Sequence, residues 1–115
     1  MNYLITAAGK GSRFLSNGIK PPKPLIRVNG IELLIWSLRS FNISHEDHLY
    51  LVTLKKHEVR ARVEKKLKII FGNIKISWLE INNVRNGQLI SAIEAINYFQ
   101  LRGPLVIHNC DTYHK

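Results

Sequence analysis

The sequence predicts an α/β protein with a mostly parallel sheet and helices on both faces, which is a three-layer α/β/α arrangement. Strand-like and helix-like apolar patterns alternate along the 115 residues, and each helical pattern is long enough to connect two parallel strands. Neither a repeat nor a linker interrupts the alternation. A chain of this length fits one domain, so we expect a single unit spanning 1–115.

Four strands and three helices follow from the spacing of the apolar residues. The predicted strands are Asn2–Ala7, Asp47–Leu54, Ile74–Ile81 and Gly103–Asn109, and the predicted helices are Ile31–Phe41, one within Lys55–Lys68, and Gly87–Phe99. A sheet that begins in the order third–second–first–fourth would make the first and fourth strands neighbours. Their following loops would then face one crevice, where open parallel sheets bind ligands.

The net charge of +9 favours polyanionic partners such as nucleotides, phosphorylated metabolites or nucleic acid. Seven Lys or Arg residues lie within Lys55–Lys68, against two glutamates. Val59, Val63 and Leu67 form a narrow apolar stripe there, so the charges cover the outer face of a helix. We interpret this as a solvated face. A nucleic-acid patch is the secondary interpretation, because no aromatic residue is interleaved to stack on bases.

Cysteine content and hydropathy predict a cytoplasmic protein without a membrane segment. Cys110 is the single cysteine, which excludes a disulfide within this chain and favours a reducing compartment. No apolar run approaches the roughly 20 residues of a membrane span, and no basic leader precedes the first apolar run. We interpret Cys110 as a packing residue and not a nucleophile, because no partner base is evident and His108 is expected on the opposite face of its strand.

The stretch ITAAGKGSRFLSNGIKPPKPLI breaks a strand-like run with glycines, cations and prolines, as expected of a loop that holds an anion. It does not fit a P-loop, because Leu4 stands at the first glycine and Gly11 at the Ser/Thr position. It does not fit a dinucleotide fingerprint either, because Phe14 stands at the third glycine. Glu32 lies near the distance of a ribose-binding acid but follows Asn29-Gly30 in place of a strand.

Two blocks of this region resemble the sugar-1-phosphate nucleotidyltransferases, also called nucleotide-sugar pyrophosphorylases. AAGKGSRF is followed by PKPLIRVNGIELL, whose lysine, Lys23, stands ten residues after Arg13. The residues that match the family pattern in order are Ala7, Ala8, Gly9, Gly11, Arg13, Pro22, Lys23, Pro24, Leu25, Val28 and Gly30. The resemblance implies a Rossmann-like fold of the nucleotide-diphospho-sugar transferase type. Related cytidylyltransferases share the blocks but place the arginine and lysine closer together.

The resemblance implies a site for a nucleoside triphosphate (NTP). We expect Arg13 and Lys23 to be the catalytic cations, because a guanidinium grips two phosphate oxygens and an ammonium acts as a point charge. The expected NTP-binding residues are Ala7, Ala8, Gly9, Lys10, Gly11, Ser12 and Gly87. Lys10, like Lys20, is equally well explained as a solvated loop charge.

A second block, HNCDTY, resembles the family's Asn-Gly-Asp segment, with Cys110 in place of the glycine. The resemblance implies that Asp111 binds a catalytic Mg²⁺. The family's Gly-Thr-Ala-x-Ala segment is matched only at Gly87, since NGQLISAIEA stands there. A base-reading residue in the family lies upstream, and Glu80, Asn82 and Asn83 are all candidates for it.

The implied reaction joins an NTP to a sugar-1-phosphate and releases pyrophosphate, so the expected partners are those two substrates. Family members continue well beyond the last residue matched here, and they carry a second metal-binding aspartate. We therefore expect this chain to hold the NTP-binding half, apparently truncated after the fourth strand, with little activity alone. A non-catalytic nucleotide-binding module, a cytidylyltransferase for a non-sugar phosphate and a nucleic-acid-binding domain stay open, as do the base, the acceptor and a homo-oligomeric state.

Overall fold

The fold consists of six strands and three α-helices in a computed structural model that describes residues 1–8, 23–83 and 88–109. The strands are β1 (Asn2–Ala7), β2 (Arg27–Val28), β3 (Ile31–Glu32), β4 (His48–Leu54), β5 (Lys75–Ile81) and β6 (Leu105–Asn109). The helices are α1 (Leu33–Arg39), α2 (Val59–Phe71) and α3 (Gln88–Phe99), and two 3₁₀ turns lie at Lys23–Leu25 and Lys55–His57.

The main sheet has four parallel strands in the order β5-β4-β1-β6. These are the four strands predicted from the sequence, and their order is the third–second–first–fourth order considered above. In the register, Ala7 of β1 lies opposite Thr53 of β4, and Thr6 lies opposite Asn109 of β6. Because all pairs are parallel, the carboxyl ends of the strands meet at one edge, which we call the carboxyl edge.

The helices cover both faces of this sheet, which confirms the three-layer prediction. One core cluster joins alternate strand residues such as Ile5 and Leu51 to α1 and α2, and a second joins Leu4 and Val52 to α3. The chain moves from β1 towards β5 and then returns to the other side of β1 for β6. Right-handed crossovers in opposite directions place their helices on opposite faces, which accounts for α3 lying alone on its side.

A short hairpin precedes α1 and corrects the predicted helix Ile31–Phe41. Strands β2 and β3 are antiparallel and are joined by Asn29 and Gly30, whose φ angles are 53° and 80°. Two consecutive positive φ angles are the conformation of a type I′ turn, for which Asn-Gly is the preferred pair. Ile31 and Glu32 are thereby used as a strand, and the helix begins only at Leu33.

Helix α2 carries the apolar stripe predicted for the basic segment. Val59, Val63 and Leu67 are all fully buried. The helix begins later than Lys55, because a 3₁₀ turn intervenes and Glu58 adopts a left-handed conformation with φ 53°. It continues past Lys68 to Phe71. In the part of the chain that the structure describes, no helix is long and apolar enough to cross a membrane.

Candidate functional site

The carboxyl edge between β1 and β6 is the point at which the strand order reverses. In open parallel sheets, ligands bind in the crevice outside the carboxyl ends of the strands at such a reversal. Ala7 ends β1 and Asn109 ends β6, and the register of these strands brings both ends to the same edge. In sequence, the glycine-rich segment follows the first of these strands and Cys110-Asp111 follows the second.

Two of the predicted site residues lie fully in the described part of the chain. Ala7 and Ala8 are 1% and 2% exposed, in the core clusters on opposite faces of the sheet. Their methyl groups offer no polar contact, so the predicted role in NTP binding would fall to their backbone and stays a prediction. The other predicted residues outside the described ranges are Gly9, Lys10, Gly11, Ser12, Arg13, Gly87 and Asp111. Their roles stay predictions.

The backbone at Lys23 is anchored by the residues that follow it. Lys23 opens the 3₁₀ turn Lys23–Leu25, and both Pro24 and Leu25 are buried. Leu25 is part of the core cluster that includes α1, and the N–H of Leu33 donates to the carbonyl of Ile26 at 2.8 Å. A lysine on such a turn starts from a fixed Cα, so less backbone entropy is lost when its ammonium binds an anion.

The three candidate base-reading residues lie at different positions. Glu80 belongs to β5, and its Oε1 lies 3.9 Å from Nη1 of Arg60 on α2. That contact directs Glu80 towards the α2 face of the sheet. Asn82 and Asn83 follow β5 at the carboxyl edge and lead towards α3 on the other face. Position therefore favours the two asparagines over Glu80 as residues near a ligand at this edge.

Asp47 lies just before β4, at the edge opposite to the carboxyl edge, and has a structural role. Its Oδ2 accepts a hydrogen bond from the N–H of Ser44 at 2.8 Å, and its Oδ1 lies 3.2 Å from the amino terminus. The hydrogen bond from Ser44 is the main cause that lowers the pKa of Asp47. Among residues 1–8, 23–83 and 88–109, no group of three His, Cys, Asp or Glu side chains could hold a metal ion.

The ring of His108 packs against Phe41 in an edge-to-face contact with 4.7 Å between centroids. Phe41 belongs to the core cluster of α1 and α2. His108 therefore points to that face of the sheet, in a hydrophobic contact. Cys110 lies outside the described residues, so its interpretation as a packing residue stays a prediction.

Two polar groups at the end of β4 were not singled out from the sequence. Thr53 is fully buried and its Oγ1 has no hydrogen-bond partner among the described residues, and the same holds for the buried Nδ1 of His57. An unsatisfied buried hydroxyl costs roughly 1–3 kcal/mol. Burial, with the nearby Lys56, lowers the pKa of His57 and favours its neutral ring. The sequence did offer a signal for them, since Thr53 is the penultimate residue of an apolar strand and His57 closely follows that strand at the carboxyl edge.

Several solved structures share this fold over nearly the whole chain. A nucleoside-diphosphate-sugar pyrophosphorylase from Vibrio cholerae RC9 matches with a TM-score of 0.79 and 21% identity, over 98% of this chain and 48% of its own. For an inositol-1-phosphate CTP transferase from T. maritima the values are 0.66 and 20%, over 97% and 44%. For a Methanothermobacter nucleotidyl transferase they are 0.59 and 20%, over 96% and 50%.

The chain thus spans about half the length of each of these proteins. No protein-family model matches the sequence, and no curated protein matches it significantly. Strand order, helix placement and the match to solved structures nevertheless agree. The chain has the α/β fold of the nucleotidyltransferase structures, which confirms the fold that the sequence resemblance implied.

Proposed function

We propose that this chain binds a nucleoside triphosphate in the crevice between β1 and β6 and supplies the NTP-binding half of a nucleotidyltransferase. The observation that carries the proposal is the adjacency of β1 and β6 at the reversal of strand order. In sequence, β1 is followed by the glycine-rich segment and β6 by the segment with Asp111. Nucleotidyltransferases of the same fold provide independent support.

The proposed reaction is a displacement at the α-phosphorus of the triphosphate. An oxygen of a phosphorylated acceptor forms a new bond to that phosphorus, the bond from the α-phosphorus to the bridging oxygen breaks, and pyrophosphate leaves with the electron pair. Arg13 and Lys23 would neutralise negative charge on the α-phosphate and the leaving group, and glycine N–H groups would hold phosphate oxygens. Positioning and charge neutralisation suffice, so no covalent enzyme intermediate is required.

Asp111 is the residue that we expect to hold Mg²⁺. Mg²⁺ is bound by one or two carboxylates and completes its shell with water and substrate phosphates, so one aspartate beside a triphosphate fits its preferences. When bound, the ion acts as a Lewis acid towards phosphate oxygens. The remaining aspartate of the chain, Asp47, lies at the opposite edge of the sheet and cannot share that role.

The acceptor is proposed only as a class, a phosphate monoester of a sugar or another polyol. Two of the solved structures with this fold are described as a nucleoside-diphosphate-sugar pyrophosphorylase and an inositol-1-phosphate CTP transferase. Their names indicate that both sugar phosphates and inositol phosphates are substrates of proteins with this fold. A cytoplasmic location accords with such substrates and remains part of the proposal.

Calorimetric titration with CTP, UTP, dTTP, GTP and ATP in the presence of Mg²⁺ tests the proposal. One triphosphate should bind well, and Arg13→Ala/Lys23→Ala should abolish its binding. The matched control is Lys65→Ala/Lys68→Ala, which removes the same charge from the exposed side of α2. Equal loss in both variants would show that net charge, and not the proposed site, attracts the nucleotide.

A second candidate is a nucleotide-binding module without turnover. It is favoured by the position of Asp47, which pairs with the amino terminus at the opposite edge of the sheet. Release of pyrophosphate separates the two candidates. With Mg²⁺, the bound triphosphate and either glucose-1-phosphate or inositol-1-phosphate, a transferase releases pyrophosphate, whereas the binding module holds the triphosphate unchanged.

A further inference from the structure

The basic helix α2 borders an apolar groove that the proposed nucleotide site does not use. A cavity of about 220 Å³ lies between the β2–β3 hairpin, α1 and the last turns of α2. We call it the α2 groove, and its lining residues are Gly30, Ile31, Glu32, Ile35, Lys66, Ile69 and Ile70. The one carboxylate among them, Glu32, is already held by Lys66 at 2.6 Å.

The wall of the groove formed by α2 changes from basic to apolar along the helix. Positions 62, 66, 69 and 70 lie on one side of a helix, because residues three and four apart are neighbours. Lys66 therefore precedes Ile69 and Ile70 along this wall, and Arg62 lies one turn before Lys66 on the same side of the helix, beyond the residues that line the cavity. Ile69 is 82% exposed and Ile70 is 46% exposed, which is unusual for two adjacent isoleucines on a soluble helix.

The charge around the groove is strongly positive. Helix α2 carries five Lys or Arg residues and one glutamate, Glu64, whose Oε2 is 3.1 Å from Nε of Arg60 on the far side of the helix. Arg27, on the hairpin, lies 3.9 Å from Glu32 and is itself exposed. Beside the groove, Arg27 and Lys66 share one carboxylate, that of Glu32, so positive charge is in excess. An apolar concavity with an excess of basic side chains beside it is complementary to an acidic ligand that also carries an apolar side chain.

We propose that the α2 groove docks an acidic amphipathic segment of a partner protein, with an apolar side chain seated against Ile69 and Ile70 and carboxylates near Arg62 and Lys66. The cavity has room for one large apolar side chain, which favours a peptide over a nucleic acid. It is also concave, whereas a membrane presents a flat surface. The α2 wall of the groove lies in the last turns of the helix, which begins after β4 at the carboxyl edge and returns to the amino edge before β5.

Fluorescence anisotropy with three labelled helical peptides tests this proposal on the full chain. The first has glutamates on one face and leucines on the other, the second replaces the leucines with serines, and the third replaces the glutamates with lysines. The first peptide alone should bind, with an affinity that falls as salt rises. Equal binding of the lysine peptide, or no binding of the first peptide at millimolar concentration, would overturn the proposal.

Variants then locate the site. Ile69→Asn should weaken binding of the first peptide roughly tenfold, as the loss of an interface anchor does. Ile93→Asn is the matched control, because it removes an isoleucine that is 48% exposed on α3 and should leave the affinity unchanged. Arg62→Ala should weaken binding about threefold and reduce its salt dependence.

Two further binding experiments test whether the partner is a membrane or a nucleic acid. Stronger binding to phosphatidylserine vesicles than to the first peptide, lost in Ile69→Asn, would overturn the proposal in favour of a membrane surface. Displacement of the peptide by a single-stranded oligonucleotide, unaffected by Ile69→Asn, would overturn it in favour of nucleic acid. None of these results depends on nucleotide binding, so the proposed function stands or falls separately.

Discussion

Replacing Lys66 with methionine should destabilise the protein, because the buried carboxylate of Glu32 would lose its closest cation. Glu32 is 3% exposed, and its Oε2 accepts a 2.6 Å hydrogen bond from Nζ of Lys66. Arg27 is the other cation near that oxygen, at 3.9 Å. Burial acts to raise the pKa of Glu32, but the bond from Lys66, a backbone hydrogen bond and the two cations outweigh it and hold the pKa below 4.5.

The magnitude follows from the type of bond and from its exposure. A hydrogen bond between charged groups contributes about 1.5–3 kcal/mol, and removing one partner of a buried pair costs more. The Lys66 side chain is 43% exposed, so water partly replaces it and we expect about 2 kcal/mol. For a domain of this size, that loss lowers the melting temperature by roughly 8 °C.

The assay is urea and thermal unfolding followed by circular dichroism, with Lys65→Met as the control at a neighbouring exposed position. The control should unfold within about 0.5 kcal/mol of the parent. Glu32→Gln/Lys66→Met should recover part of the loss, because it removes the unpaired charge. A Lys66→Met variant as stable as the control would refute the reasoning that this ion pair stabilises the hairpin against α2.

The lowered pKa of Glu32 also determines how the stability of the protein changes with pH. The pKa of Glu32 is lower in the folded state, so its contribution to stability is present above its ordinary value of 4.5 and is lost as the pH falls through the folded value. The parent should therefore lose stability below pH 4.5 more steeply than Lys66→Met. Parallel curves for the two proteins would contradict this.

Three further substitutions test the packing, the turn and a buried histidine. Leu67→Ala, at a fully buried position, should cost about 2–5 kcal/mol in urea unfolding, and a loss below 1 kcal/mol would contradict the docking of α2. Gly30→Ala should lower the free energy of unfolding by about 1 kcal/mol, because φ is 80° there; no loss would argue against the type I′ turn. Burial, with Lys75, lowers the pKa of His48, so stability should fall as the pH drops from 7 to 5. His48→Gln should reduce that slope in thermal melts to the part due to His57, and an unchanged slope would contradict the burial of a neutral His48.

Most of the fold could be predicted because its signals are local. The apolar run of β1 and the glycine-rich stretch after it gave its bounds, Asn2–Ala7, and the i, i+4 stripe of Val59, Val63 and Leu67 identified the buried face of α2. The start of α1 could not be placed in this way. Ile31 and Glu32 fit a helical pattern equally well, and the Asn29-Gly30 turn decided that they form a strand.

The side-chain contacts between elements, and the place of the candidate site, depend on residues distant in sequence. Nothing local pairs Glu32 with Lys66, which is 34 positions away, or places Glu80 beside Arg60. From the sequence, the only argument against Glu32 as a ribose-binding acid was its place after a turn. The structure gives its carboxylate a different role, as the partner of Lys66 in an ion pair. The adjacency of β1 and β6 likewise depends on the strand order. The sequence could only predict that these strands would be neighbours if the order were third–second–first–fourth.

The most direct test of the account is a ¹⁵N–¹H correlation spectrum recorded while the triphosphate selected by calorimetry is added. The amide signals of Ala7, Ala8 and Asn109, at the carboxyl edge of β1 and β6, should shift, with a dissociation constant that agrees with the one measured by calorimetry. The amides of Asp47, at the opposite edge, should stay unchanged. Shifts confined to α2, with none at the ends of β1 and β6, would contradict the claim that the nucleotide binds where the strand order reverses.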